Sequence, residues 1–119
     1  MELRGPLAED LYGGADGIAF GPGGTLFIVH TLCRPALFTA VFDDDYRVAN
    51  LTPVFDHDNM LSFQTTAALS GEYLYVVDGQ LDKLLGDIQP ELPFHLLKVP
   101  VYDLLRCGCL AWRLRFSPV

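Results

Sequence analysis

Two side chains bracket the most patterned stretch of this sequence, DGIAFGPGGTLFIVHT: Asp16 opens it and His30 stands one residue from its end. A fainter copy, TTAALSGEYLYVVDGQ, runs from Thr65 to Gln80. In that copy Asp78 takes the place of His30, while Gln64, Thr65 and Thr66 approach the place of Asp16. A carboxylate is a hard oxygen donor for a divalent cation, and beside a metal-bound water it accepts a proton. An imidazole titrates near neutrality, so His30 with an aspartate nearby suits acid/base work or ligation. Gln64 and Thr65 suit hydrogen bonding to a polar substrate group. Each residue also has an architectural reading. An Asp-Gly dipeptide turns the chain into a strand, and a polar residue at a strand end bonds the backbone of a neighbouring loop.

Other polar clusters carry less. Asp43-Asp44-Asp45 and Asp56-His57-Asp58-Asn59 invite a calcium site. Neither has the alternating acidic ligands, central glycine and distal glutamate of an EF-hand loop. The first is expected to be a tight turn and the second a solvated loop. Gly21-Pro22-Gly23-Gly24 precedes a strand, so it is no phosphate cradle at a helix N-terminus. No serine occupies a nucleophile elbow, which argues against serine hydrolysis of that kind. Cys33, Cys107 and Cys109 lack zinc-ligand spacing and are expected to be unpaired thiols.

The elements that must position these residues are strands. The chain has 119 residues, 50% of them hydrophobic and 19% charged, which suits one small globular domain. Its net charge of −7 argues against nucleic acid and anionic membrane surfaces as partners. No apolar run approaches the roughly 18–20 residues that span a bilayer. The N-terminus MELRGPLAEDLYGG has no apolar signal region, so a cytoplasmic location is the default expectation.

Short apolar runs at 17–20, 25–30, 36–42, 47–55, 66–69, 73–77 and 94–101 are separated by Gly, Pro, Asp and Ser turns. Residues 25–30, TLFIVH, are apolar almost throughout and read as a strand buried on both faces. Pro53 places the fourth run at an outer or edge position. Leu81–Leu85 has room for one helical turn within a polar, proline-bearing excursion. Aligning Phe27-Ile28-Val29 with Tyr75-Val76-Val77 gives an offset of 48 residues. A four-strand unit recurring at roughly 40–50 residues is the signature of a β-propeller blade.

The stretch from Ala15 to Val29 resembles the P-D-G-hydrophobic-x-h-D-x-x-G-x-L-[WY]-V-A strand pair of the senescence-marker-protein/gluconolactonase family. Tyr75–Asp82, Glu91–Phe94 and Val99-Pro100 are similar to a fungal branch of that superfamily. The resemblance implies an all-β, six-bladed propeller, of which this chain supplies about two four-stranded blades. It implies a lead-in at 1–11, a blade at 12–62, a second partial blade at 63–102 and an atypical tail at 103–119. The chain is then expected to be the C-terminal third of a longer protein or one subunit of an assembly, needing missing blades or other copies to close. In the tail the composition shifts: of the 15 acidic residues only Asp103 lies there, against Arg106, Arg113 and Arg115 of the 8 basic ones. That shift suggests translated non-homologous sequence.

For chemistry, the resemblance implies that Asp16 is a divalent-metal ligand (Ca, Mg or Zn) and general base at the mouth of a central channel. The family's other ligands have no counterpart in this sequence. The expected function is metal-assisted hydrolysis of a small-molecule lactone or ester, or isomerisation or cyclisation of a small secondary metabolite. His30 would join Asp16 in catalysis, with Gln64, Thr65 and Asp78 binding substrate. The alternatives are a non-catalytic propeller of the NHL-repeat type and an inactive truncated product.

Overall fold

The computed structural model of the chain describes residues 1–31, 36–54, 63–105 and 117–118. Those residues form an all-β architecture of two open sheets with a few short helical turns. The first sheet holds β1 (Glu2–Arg4), β2 (Ala15–Phe20), β3 (Leu26–His30), β4 (Leu37–Phe42) and β5 (Val48–Val54), in the spatial order β1-β5-β4-β3-β2. The second holds β6 (Gln64–Ser70), β7 (Tyr73–Asp78), β8 (Leu96–Pro100) and β9 (Ser117–Pro118), in sequence order. The turns behave as their residues dictate. Gly71 takes φ 58°, which glycine adopts without steric cost, in the tight turn from β6 to β7. Between β4 and β5, Asp43 Oδ1 accepts hydrogen bonds from the backbone N–H groups of Arg47 and Val48 at 2.7 and 2.9 Å. The aspartate run is therefore a turn.

Strand alternation divides the first sheet into a front and a back. On the front, Ile28, Phe38, Ala40 and Leu51 pack under Ala8 and Leu11 of a 3-10 turn at Ala8–Gly13. On the back, Phe27, Val29, Leu37 and Val54 meet the second sheet. The second sheet's answering face is Ala67, Leu74, Val76, Leu97 and Val99. By register this is its front: the β2–β3 pairing Ile18↔Ile28 corresponds to the β6–β7 pairing Ala67↔Val76. The two sheets thus stack back to front, like successive members of a series. The closest approach is between inner strands. A β-carbon on Gly17 would stand 2.5 Å from both Cα and Oγ1 of Thr66, so β2 comes against β6 backbone to backbone.

Both chain ends enter the sheets, a feature with no pattern in the sequence. β1 runs parallel to β5, pairing Glu2 with Val48 through Arg4 with Asn50. The first half of β5 is therefore covered, and Pro53 lies in the uncovered half. The compositional break at residue 103 does not end the packed structure. A short helix, α2 (Val101–Leu105), buries Val101 and Leu104 in the core between the sheets, and Leu97 and Lys98 of β8 pair with Pro118 and Ser117. Cys33, Cys107, Cys109, the Asp56–Asn59 run and residues 106–116 lie outside the described residues.

The inner-strand contact predicts that Gly17→Ala destabilises the fold by about 1–3 kcal/mol, the range for overpacking. Thermal unfolding of the variant beside wild type checks it, and an unchanged midpoint would contradict the close approach.

Candidate functional site

The sequence-derived candidates collect at one end of the sheets, where β2 and β6 begin and β3 and β7 finish. Both inner strands start with the same irregularity. In β2 the pairing jumps from Ala15↔His30 to Gly17↔Val29, and Asp16 is the extra residue. In β6 it jumps from Gln64↔Asp78 to Thr66↔Val77, and Thr65 is the extra residue. Such bulges bend a strand and re-aim one side chain. The equivalence extends into the following loops: Thr31 N–H donates to the Gly14 carbonyl at 2.8 Å, and Gly79 N–H donates to the Phe63 carbonyl at 3.0 Å.

Asp16 is exposed, and its Oδ2 accepts a hydrogen bond from the Thr31 hydroxyl at 3.2 Å. Thr65 lies against Gly79, where a β-carbon would come within 3.1 Å of its Cγ2. Asp16 with Thr31 in one repeat thus corresponds to Thr65 with Gly79 in the next. A cation at Asp16 would find one hard carboxylate donor with a threonine hydroxyl beside it. Among the described residues, no three His, Cys, Asp or Glu side chains gather at one point, so further donors would have to come from elsewhere.

The remaining candidates are buried. His30, Gln64 and Asp78 are 0%, 2% and 3% exposed. Their positions follow from register. His30 continues the front face of β3 and meets Phe38 edge-on, with ring centroids 5.7 Å apart. Asp78 continues the front face of β7, and its Oδ1 accepts the backbone N–H of Phe63 at 2.9 Å. Because the sheets stack back to front, equivalent faces occupy different layers. The His30 ring lies on the Phe38 side of the first sheet, whereas the front of the second sheet meets the first sheet's back.

Gln64 joins the layers in another way. Its Nε2 donates a hydrogen bond to the main-chain carbonyl of His30, linking β6 to β3 across the sheet boundary. Comparison with protein-family models, with curated proteins and with solved structures finds no match. The geometry at this end of the sheets sets an exposed Asp16, with half-buried Thr31 beside it and half-buried Thr65 and Gly79 in the next repeat, close to the buried His30, Gln64 and Asp78.

Sequence reasoning missed Gln80. It is 4% exposed; its Nε2 donates to the Glu91 carbonyl at 2.9 Å and its Oε1 accepts the Glu91 N–H at 2.8 Å. One side-chain amide thereby closes the excursion that carries α1 (Leu81–Leu85), and a Lys83–Glu91 ion pair of 2.9 Å lies beside it. The available signal was a glutamine two residues after the end of β7, at the base of a polar excursion.

The contrast between exposed and buried candidates predicts opposite mutational behaviour. Gln64→Leu leaves a buried carbonyl without its donor and should cost about 1–3 kcal/mol. Asp16→Ala, at an exposed position, should stay within about 0.5 kcal/mol of wild type. Denaturant titration of both variants separates the two roles.

Proposed function

We propose that the two sheets are consecutive blades of a propeller of the gluconolactonase-like kind, with the Asp16 end of the inner strands as the working end. The observation that carries this proposal is the repeated bulge, which sets Asp16 and Thr65 at equivalent points on the two inner strands. The back-to-front stacking supports it as well, since blades around a propeller axis follow one another in that sense.

On this proposal the ligand is a small neutral lactone or ester, bound with a divalent cation. The net charge of −7 suits a cation and disfavours an anionic ligand. When bound, the cation supplies polarisation of a carbonyl and acidification of a water. Asp16 holds its exposed carboxylate at this end, oriented through Oδ2 by the Thr31 hydroxyl, and accepts a proton there. Thr65 offers a hydroxyl to a polar substrate group from the next repeat. Gln64 and Asp78 act close by, holding the strand ends in place by the hydrogen bonds they already make.

A second proposal, a binding propeller without catalysis, is favoured by those same bonds. They commit two of the candidate side chains to architecture and leave Asp16 as the exposed carboxylate among the candidates.

Calorimetric titration with Ca²⁺ and Mg²⁺, together with a lactone-hydrolysis assay, decides between them. The enzyme proposal expects Asp16→Ala to abolish the heat of cation binding and to lower turnover by at least tenfold, with thermal unfolding unchanged. Turnover unaffected by Asp16→Ala would sink it.

A further inference from the structure

The back of the first sheet is covered by the front of the second, but the second sheet has the same kind of back. Tyr73, Tyr75 and Val77 of β7 and Leu96 and Lys98 of β8 lie there by register, and none belongs to either buried cluster. At the other end of the series, the front of the first sheet is covered only in part. The Ala8–Gly13 turn packs over β3, β4 and β5, while Ile18 and Phe20 of the inner strand remain 58% and 72% exposed.

The register equivalents of these two residues in the second sheet are Ala67 and Leu69. Ala67 is buried against the first sheet. The molecule therefore carries one satisfied back-to-front contact and, at its two extremities, the back of the second sheet and the strip of β2 that the turn leaves bare on the front of the first. From this we propose that the back of the second sheet docks the front of the first sheet of another copy of this chain. The inference rests on the blade proposal above and names the occupant that would complete the ring.

Two observations favour a copy of this chain as the occupant. The contact already made inside the molecule is between inner strands, where Gly17 meets Thr66, and the inner strand is the part of the front face left bare. Charge is also complementary. The turn over the outer strands exposes Glu9 and Asp10, and the facing surface carries Lys98, whose Nζ sits 3.9 Å from the centroid of the Tyr73 ring. An incoming copy would bring its acids toward that cation. The contact is heterologous, so repeating it generates a closed ring when the rotation allows. Propellers close with roughly four to eight blades, which corresponds to two to four copies of a two-sheet chain.

The test uses the 119-residue chain and two single variants. Light scattering coupled to size exclusion should give a single species of two to four copies for wild type. Tyr75→Glu spoils only the back of the second sheet, and Ile18→Glu only the bare strip on the front of the first. Each variant alone should be monomeric. Mixed in equal amounts they should form a one-to-one dimer, because each retains the half that the other has lost. A contact of like face with like would not be restored by mixing in this way. A monomeric wild type, an aggregate without a defined mass, or two variants that stay monomeric when mixed would each overturn the proposal. The cation titration reads the Asp16 end separately, so failure to assemble is distinguishable from failure of the working-end proposal.

Discussion

Everything in this fold depends on burying the back of the first sheet against the front of the second. Phe27, Val29, Leu74, Val76, Leu97 and Val99 are nearly or wholly inaccessible in that layer. Burying an apolar side chain of this size contributes about 1.5–3 kcal/mol, whereas an exposed ion pair such as Arg4–Glu2 is screened by water and adds little. The first sheet has a second, smaller layer under the 3-10 turn at Ala8–Gly13, and the second sheet has this layer alone among the buried clusters of the described residues. A sheet of four or five strands without a covered face exposes its apolar residues to water, so the two form together. The close passage at Gly17 follows from the same demand: sheets that wedge together at their inner strands leave no room there for a side chain.

The polar residues at the strand ends answer a problem that this burial creates. Where the inner strands begin, the bulges interrupt the ladder, and polar side chains bond main-chain groups at the strand ends. The Gln64 amide takes the His30 carbonyl and the Asp78 carboxylate takes the Phe63 N–H. A buried amide or carbonyl without a partner costs more than the hydrogen bond returns, which accounts for polar side chains in the midst of an apolar layer. Asp16 escapes this duty because its bulge turns it outward. The separation of roles at one end of the molecule is thus a matter of which face each residue occupies.

Much of this was legible in the sequence. Seven of the strands announce themselves by β-branched and aromatic runs between glycine, proline and aspartate turns. The 48-residue echo between Phe27 and Tyr75 is also the structural register, since Phe27 pairs with Ala19 and Tyr75 with Ala68, each two rungs beyond the pair that follows the bulge. The short end strands were not legible. β1 has three residues and β9 two, too few for any alternation, and each is held by a partner distant in sequence. The layer to which His30 belongs was hidden as well. A strand end is visible in a sequence, but the face on which its last residue falls depends on register and on how the next sheet stacks. Gln64 and Gln80 illustrate the same limit: the residue type suggests a hydrogen bond, and only the fold supplies its partner.

The amide of Gln80 has a consequence for how this protein can vary. By bonding both the N–H and the carbonyl of Glu91, it does the work of a ladder rung between two points eleven residues apart. The chain between them, with exposed Leu84, Leu85 and Ile88, is sealed off from the sheets at its base. Such a segment can lengthen, shorten or change its surface over evolutionary time without disturbing the register of β7 and β8. The molecule thereby carries a graft point, at which new surface can be acquired while the stacked sheets stay as they are.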